Sequence, residues 1–494
     1  MRRALVIGCL VVAGAAATAG AYEQRVHVLL STRGYRGPES VRGDATSVRA
    51  LREHVWHAGA EARDAALRRR FLARYPTLAA FDSGAMKQLF ALNPDKRVVG
   101  FEDDAPLPEG ASARDVYAVA SRLPDDDERN RDRFRHDAGG AVAHDGWGRP
   151  LPADPATLEM GALTGLSSQA HAHYGLPRIA FSDEPAVLKS DPRRFAIPPT
   201  VHTFGADFVE SYGALAALAA RLPDGERLAL TLAGAAAHHL EDVANQIHTV
   251  QVGIYEFFVD AKIDSYEEEL RSVGGWLRPR PSFVAIGLDI ISNHHLLAES
   301  LYAKHLLLAD DPVAALTAAA PADPDLQRTL DGIAPDCTPG FGRAVAEALI
   351  DRSSYEGPEV YRAIRNLAQR RWSKVGQHFG EHDDPDDALK LDADRSRFYA
   401  LEAAGARRAL QALAAWWTRM NACRALDDGA ATTLAEALVR ERLDALDAAD
   451  GRARMWTPRP PEQQARNGWI PIGYGVFLFF AVLLVVRWLR RRRA

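Results

Sequence analysis

Apolar residues recur at helical spacing over much of the chain. Within residues 46–92 they form two stripes, one of Leu51, Val55 and Ala58 and one of Ala66, Leu67, Phe71 and Leu72. The same period predicts further helices at 204–221, 226–247, 281–309, 341–351, 359–379, 394–425 and 430–449. Since Ala is frequent and β-branched runs are few, the pattern predicts an all-α protein.

A long stretch of the chain departs from this pattern. Residues 93–200 are irregular and rich in Pro, Gly and Asp. Segments of this length without regular structure are uncommon inside a domain and are often functional. We therefore expect chemistry-bearing residues there as well as on the helices.

The N-terminus has the pattern of an export signal. Residues 1–21 begin with two arginines, continue with an apolar run and end in the small residues Ala19, Gly20 and Ala21. Cleavage after Ala21 would make Tyr22 the first residue of the mature chain. An uncleaved signal anchor and a lipoprotein signal at Cys9 are the alternative interpretations.

The C-terminus has the pattern of a membrane anchor. Residues 456–467 contain three prolines and predict a stiff linker. Residues 468–488 are apolar and almost free of charge, at the length of a bilayer core. Arginines dominate residues 489–494, which predicts a cytoplasmic tail. We therefore expect residues 22–455 to form an exported helical domain on a single transmembrane helix; a split near residue 310 stays open.

Charge and cysteine content limit the substrates and the metal ligands that we expect for this chain. Setting aside the seven arginines of the two ends changes the formal net charge from −5 to −12. An acidic domain is a poor partner for nucleic acid.

Cys337 and Cys423 could pair in an oxidising compartment, but spacing alone does not decide this. Since no CxxC occurs, a metal site would need His and carboxylate ligands.

Two pairs of such ligands occur at helical spacing. His238 and Asp242 lie four residues apart on a predicted helix, so their side chains share one face. His295 and Glu299 repeat the spacing on a later helix. His248 cannot share the face of His238 on a straight helix, so it would serve a second metal or follow a break in the helix.

The order His238-x3-Asp242-x5-His248, followed by His295-x3-Glu299, resembles the zinc-dependent phospholipase C family, whose fold the P1/S1 nucleases share. The resemblance covers residues 22–310. It implies a multi-helix domain that holds three zinc ions close together. By the resemblance, His238 and Asp242 help to bind one zinc, and His248, His295 and Glu299 bind another.

The resemblance also implies ligands upstream. The family's mature chain begins with an aromatic residue whose amine and carbonyl bind the third zinc, with a His shortly after it. Tyr22 and His27 match this opening, and Asp242 could bridge to the same ion. Further expected ligands are an Asp, for which Asp104 is preferred to Asp103, and a His. For the His, His173 is preferred, and His171 and His136 stay open. Asp104 is also the candidate general base.

Some positions depart from the family. Gln246 stands where the family often has Pro, and Tyr22 stands in place of Trp. The 47 residues between His248 and His295 are more than the family usually has, so an insertion must loop out. The segment 310–455 has no counterpart in the resemblance.

These features predict a membrane-anchored, zinc-dependent phosphodiester hydrolase. A zinc-bound water would be the nucleophile, and membrane lipid of the phospholipid type would be the substrate. The alternatives are an exported single-strand nuclease and a catalytically weak structural or binding member of the same fold. A protein partner cannot be inferred from the sequence.

Overall fold

The computed structural model describes residues 24–41, 48–90, 112–122, 124, 173, 175, 205–249, 283–318, 321–368 and 392–456. Within these ranges the chain is mostly helical and has no strand, so the all-α prediction is confirmed. The elements are α1 (Gln24–Gly34), α2 (Val48–Ala60), α3 (Ala65–Arg74), α4 (Ser83–Phe90), α5 (Ala113–Ala120), α6 (Gly205–Ala219), α7 (Glu226–Asp242), a 3-10 helix (Gln246–His248), α8 (Phe283–Leu307), α9 (Pro312–Ala318), α10 (Pro324–Asp331), α11 (Phe341–Ser353), α12 (Gly357–Ala368), α13 (Asp392–Cys423) and α14 (Asp428–Trp456).

Both ends of the chain lie outside this description. The predicted signal peptide and the predicted span at 468–488 belong to residues that the structure does not describe. Among the described helices, none has the length and apolar character that crossing a membrane requires.

The centre of the fold is α7, which is buried all round. Each residue from Leu228 to Asp242 is buried, and both α6 and α5 pack against the helix. Gly234 allows the approach of α5, since a Cβ there would lie 2.4 Å from the carbonyl oxygen of Tyr117. This contact brings the end of α5 to the polar C-terminal turn of α7.

A buried carboxylate joins α11 to α6. Glu210 accepts hydrogen bonds from the backbone N–H groups of Gly340 (2.8 Å), Gly342 (2.7 Å) and Arg343 (3.2 Å). These groups begin α11, where unsatisfied N–H groups and the helix dipole favour a negative charge. Gly340 has a φ of 93°, a conformation that favours glycine.

The helices after residue 310 pack against those before it. The long helix α13 contacts α1, α6 and α7, and α12 contacts the 3-10 helix. Trp416 and Trp417 of α13 are buried in this core. A disulfide joins Cys337, which precedes α11, to Cys423 at the end of α13.

Two helices differ by several residues from the sequence-based prediction, one at 226–247 and one at 430–449. The helix expected over 226–247 ends at Asp242, because Asn245 has an extended backbone and its side chain accepts from the N–H of Ile247 to begin the 3-10 helix. Of the helix expected over 359–379, the structure has Gly357–Ala368, and residues 369–379 lie outside the described part of the chain. The helix expected over 430–449 runs longer, as Asp428–Trp456.

The disulfide should contribute measurably to stability. It closes a loop with a sequence separation of 86 residues, and a loop of that size restricts the unfolded chain by about 4 kcal/mol. We expect the Cys337→Ala/Cys423→Ala double variant to lose about this free energy of unfolding in urea. Wild-type protein treated with a thiol reductant is the control and should match the variant. An unchanged unfolding free energy would contradict the pairing.

Candidate metal centre

The last turn of α7 and the side chain of His173 form a first cluster of polar atoms. His238 Nε2 lies 3.2 Å from Asp242 Oδ2, and His173 Nδ1 lies 2.5 Å from the same oxygen and 3.0 Å from His238 Nε2. His238 Nδ1 donates to the carbonyl oxygen of Ser121 at 2.7 Å. This bond leaves the lone pair of Nε2 directed at the cluster.

The second oxygen of Asp242 faces α1. His27 Nε2 lies 3.4 Å from Asp242 Oδ1, and its other nitrogen, Nδ1, lies 2.7 Å from Glu241 Oε2. The hydroxyl of Ser31 donates to Glu241 Oε1 at 2.7 Å. With Nδ1 donating to this carboxylate, Nε2 of His27 keeps its lone pair toward Asp242. Asp242 therefore separates two groups of imidazoles, one at each carboxylate oxygen.

The 3-10 helix and α8 form a second cluster. His248 Nε2 lies 2.8 Å from His295 Nε2 and 3.5 Å from Glu299 Oε1. His295 Nε2 lies 2.8 Å from that oxygen. His248 Nδ1 faces the carbonyl oxygen of His173 at 3.4 Å, which ties the two clusters together.

Burial shifts the ionisation of these groups. The pKa of His27 is lowered well below its usual value by burial and then by His238, His248 and His239. Burial and Asp242 raise the pKa of Glu241, although the hydrogen bond from Ser31 opposes this. Burial alone would raise the pKa of Glu299, but His295 and His248 hold it below its usual value. The His27 imidazole is therefore neutral at pH 7, in the form that binds a metal.

The arrangement suits a cation. Ligand atoms that share one zinc lie about 2.0–2.2 Å from it, which places them about 3 to 3.5 Å from one another, close to the separations in both clusters. Asp242 also stands at the C-terminal end of α7, where the helix dipole disfavours a carboxylate and favours a positive charge. Buried His and carboxylate groups that meet at these distances can hold metal ions at two places.

Comparison with protein-family models, with curated proteins and with solved structures found no match. The assignment of the site therefore depends on its geometry and on the sequence resemblance.

Most of the predicted ligands come together. Within the described residues, His173, His238 and Asp242 meet in the first cluster, and His27 faces Asp242 from α1. His248, His295 and Glu299 meet in the second, and His248 both follows a break in the helix and joins a different cluster from His238. The remaining predicted residues lie outside the described part of the chain: Tyr22, Asp103, Asp104, His136 and His171.

Sequence reasoning missed two neighbours of these ligands. His239 lies in the first cluster, with Nδ1 3.7 Å from Asp242 Oδ2, and its ring stacks on Phe208 and Tyr212. Glu241 orients His27 from the same turn. The signal was present in the long apolar run of α7, since a helix buried all round has no solvent face and each polar residue on it must meet a partner.

A further buried carboxylate lies near the second cluster. Glu402 of α13 is 1% exposed. Burial, and then the charge of Glu299, raise the pKa of Glu402 to about 8, although Arg408 opposes the shift. At pH 7 the Glu402 side chain therefore keeps its proton, and Glu299 carries the negative charge.

The shifted histidine pKa values predict how stability depends on pH. Burial, and then His295, lower the pKa of His248 from 6.5 to about 4. Between these values the unfolded chain binds a proton that the folded chain does not, so acid favours unfolding. We expect the free energy of unfolding of chelator-treated protein to fall as pH drops from about 6.5 to about 4, measured in urea. The dependence should be shallower in His248→Gln, and a flat profile in the wild type would contradict the shift.

Proposed function

We propose that this protein is a zinc-dependent phosphodiester hydrolase. The observation that carries the proposal is the position of Asp242, whose Oδ2 faces His173 and His238 while Oδ1 faces His27. A carboxylate placed in this way can bridge two ions. If Asp242 bridges two ions and the cluster around His248 holds another, the protein would bind three ions, the number that the phospholipase C resemblance implies.

The chain's own residues would hold and orient the metals. Backbone carbonyl oxygens and Glu241 orient the rings of His238, His248 and His27, so that Nε2 of each ring faces a carboxylate of the proposed metal centre. Zinc bound there would supply a hydroxide at neutral pH and would offset charge that develops on phosphate oxygens. The burial of these side chains keeps bulk water from competing for the ligands. By the resemblance, Asp104 would serve as general base.

A phospholipid-like substrate fits the chain better than a polynucleotide. The predicted signal and the predicted anchor would hold the domain at the outer face of a membrane, close to lipid head groups. The acidic balance of residues 22–455 disfavours a polyanion. The disulfide between Cys337 and Cys423 supports an oxidising, extracytoplasmic compartment.

Metal content and a substrate panel test the proposal. We expect elemental analysis of the purified protein to give about three zinc ions per chain, and we expect hydrolysis of phosphatidylcholine vesicles to exceed that of single-stranded DNA. Preference for DNA would favour the nuclease. One ion or none, with no hydrolysis of either substrate, would favour a structural or binding role and would contradict the proposal.

Removal of the bridging carboxylate should affect two ions together. Asp242→Asn keeps the shape of the side chain but removes its charge. We expect about two fewer zinc ions per chain and a loss of hydrolysis greater than about 100-fold, since even partners of metal ligands contribute 10- to 100-fold. Glu226→Gln, at the other end of the same helix, is the matched control and should retain both. Equal zinc content in Asp242→Asn and wild type would refute the bridging role.

The N-terminus tests the resemblance at a separate point. An α-amine has a pKa of about 7.7–8.0, so a metal displaces its proton at modest cost near neutral pH. We expect a protein with Gly-Ser added before Tyr22 to bind one zinc fewer and to lose most activity while it remains folded. Because His27 lies beside Asp242, the lost ion should be the one they share. Identical zinc content and rate in the extended protein would rule out a terminal ligand.

A further inference from the structure

The 3-10 helix that carries His248 is held from two sides. On one side, the carbonyl oxygen of His248 accepts from the N–H of Gly175 at 3.2 Å, and its Nδ1 faces the carbonyl oxygen of His173. On the other side, the 3-10 helix packs against α12. Residues before and after the metal-binding helices therefore set the direction of one imidazole.

Gln246 makes the contact on the second side. Its side chain is fully buried, and its Nε2 donates to the carbonyl oxygen of Leu401 at 2.6 Å and to Glu356 Oε2 at 3.2 Å. Both donor hydrogens of the amide are thus used, which fixes the side chain in one orientation. A residue two positions from His248 is therefore bonded to α13 and to the start of α12.

The contact requires a glycine on α13. A Cβ at Gly405 would lie 2.7 Å from Gln246 Oε1 and 3.1 Å from the carbonyl oxygen of Ala244. The absence of a side chain at this position allows α13 to approach the turn between α7 and the 3-10 helix.

The acceptor Glu356 is itself fixed. Arg408 Nη2 donates to Glu356 Oε2 at 2.6 Å, and Arg408 Nη1 lies 3.7 Å from Asp323 Oδ2. Arg352 Nε donates to that same oxygen at 2.6 Å. Arg408 is 2% exposed, so its charge is largely shielded from solvent and its partners hold it firmly.

We propose that Gln246 is a positioning residue for the second metal, through which α12 and α13 hold the 3-10 helix and direct His248 Nε2 at His295 and Glu299. The inference rests on the proposed metal centre and assigns a role to the segment 310–455, which the sequence resemblance leaves unexplained. The phospholipase C family often has a proline at the position of Gln246. In this chain the buried Gln246 amide instead restrains the backbone there, through its hydrogen bonds to α13 and to the residue before α12.

Zinc affinities of the full chain test this role. We expect Gln246→Met, which keeps the volume but removes both hydrogen bonds, to weaken the binding of one zinc ion about 10- to 100-fold. The other ions should keep their affinity, as measured by competition with a chromogenic chelator. Gly405→Ala should weaken the same ion, because its new Cβ displaces the Gln246 side chain. Gln327→Met, an exposed glutamine that bonds Asp331 on α10, is the matched control and should bind like the wild type.

The outcomes separate this inference from the proposed function. Unchanged affinity for every ion in Gln246→Met and Gly405→Ala would overturn the positioning role and leave the proposed function intact. A uniform fall for every ion, together with a lower unfolding free energy of the metal-free protein, would show a role in folding only and would overturn it as well. A wild-type protein that binds no zinc would overturn the proposed function itself.

Discussion

The buried carboxylate of Asp242 is the group on which the rest of the centre depends. It is fully buried at the C-terminal end of α7, where desolvation and the helix dipole both disfavour a negative charge. Imidazoles meet both of its oxygens. These rings orient the carboxylate, and a cation bound between them would offset the cost of burying its negative charge.

The fold supplies the rigidity that such a site needs. The small residues of α7 let α5 and α6 pack closely on it, and Gly234 fixes the distance to α5. Because Ser121 directly follows α5, this packing also fixes the position of the Ser121 carbonyl oxygen, which orients the His238 ring. Core packing and the direction of a ligand nitrogen are thus consequences of the same helix contact.

The sequence predicted the parts of the site that follow local rules. The i, i+4 pairs His238/Asp242 and His295/Glu299 followed from helix periodicity, and His27 and His173 entered through the family resemblance. Periodicity cannot place Gln246, because its partners Leu401 and Glu356 lie more than 100 residues away. The residue at which α7 ends was not predicted, because the helical pattern of apolar residues continues past it. The Asn245 side chain accepts a hydrogen bond from the Ile247 N–H, and this local bond favours the 3-10 turn over further α-helix.

The net charge of the second cluster depends on which of two buried carboxyl groups, Glu299 or Glu402, is ionised. Glu299 and Glu402 influence each other's charge inside the core, and two ionised carboxylates there would repel. The histidines beside Glu299 lower its pKa, whereas burial and Glu299 raise that of Glu402, so one proton stays on Glu402 at neutral pH. The cluster then offers the imidazoles of His248 and His295 and one ionised carboxylate. If the cluster binds zinc as proposed, these residues would form a His2Glu ligand set, which in catalytic zinc sites leaves a fourth position open for water. The carboxyl group of Glu402 on α13 thus lies close to the cluster without adding a second negative charge to it.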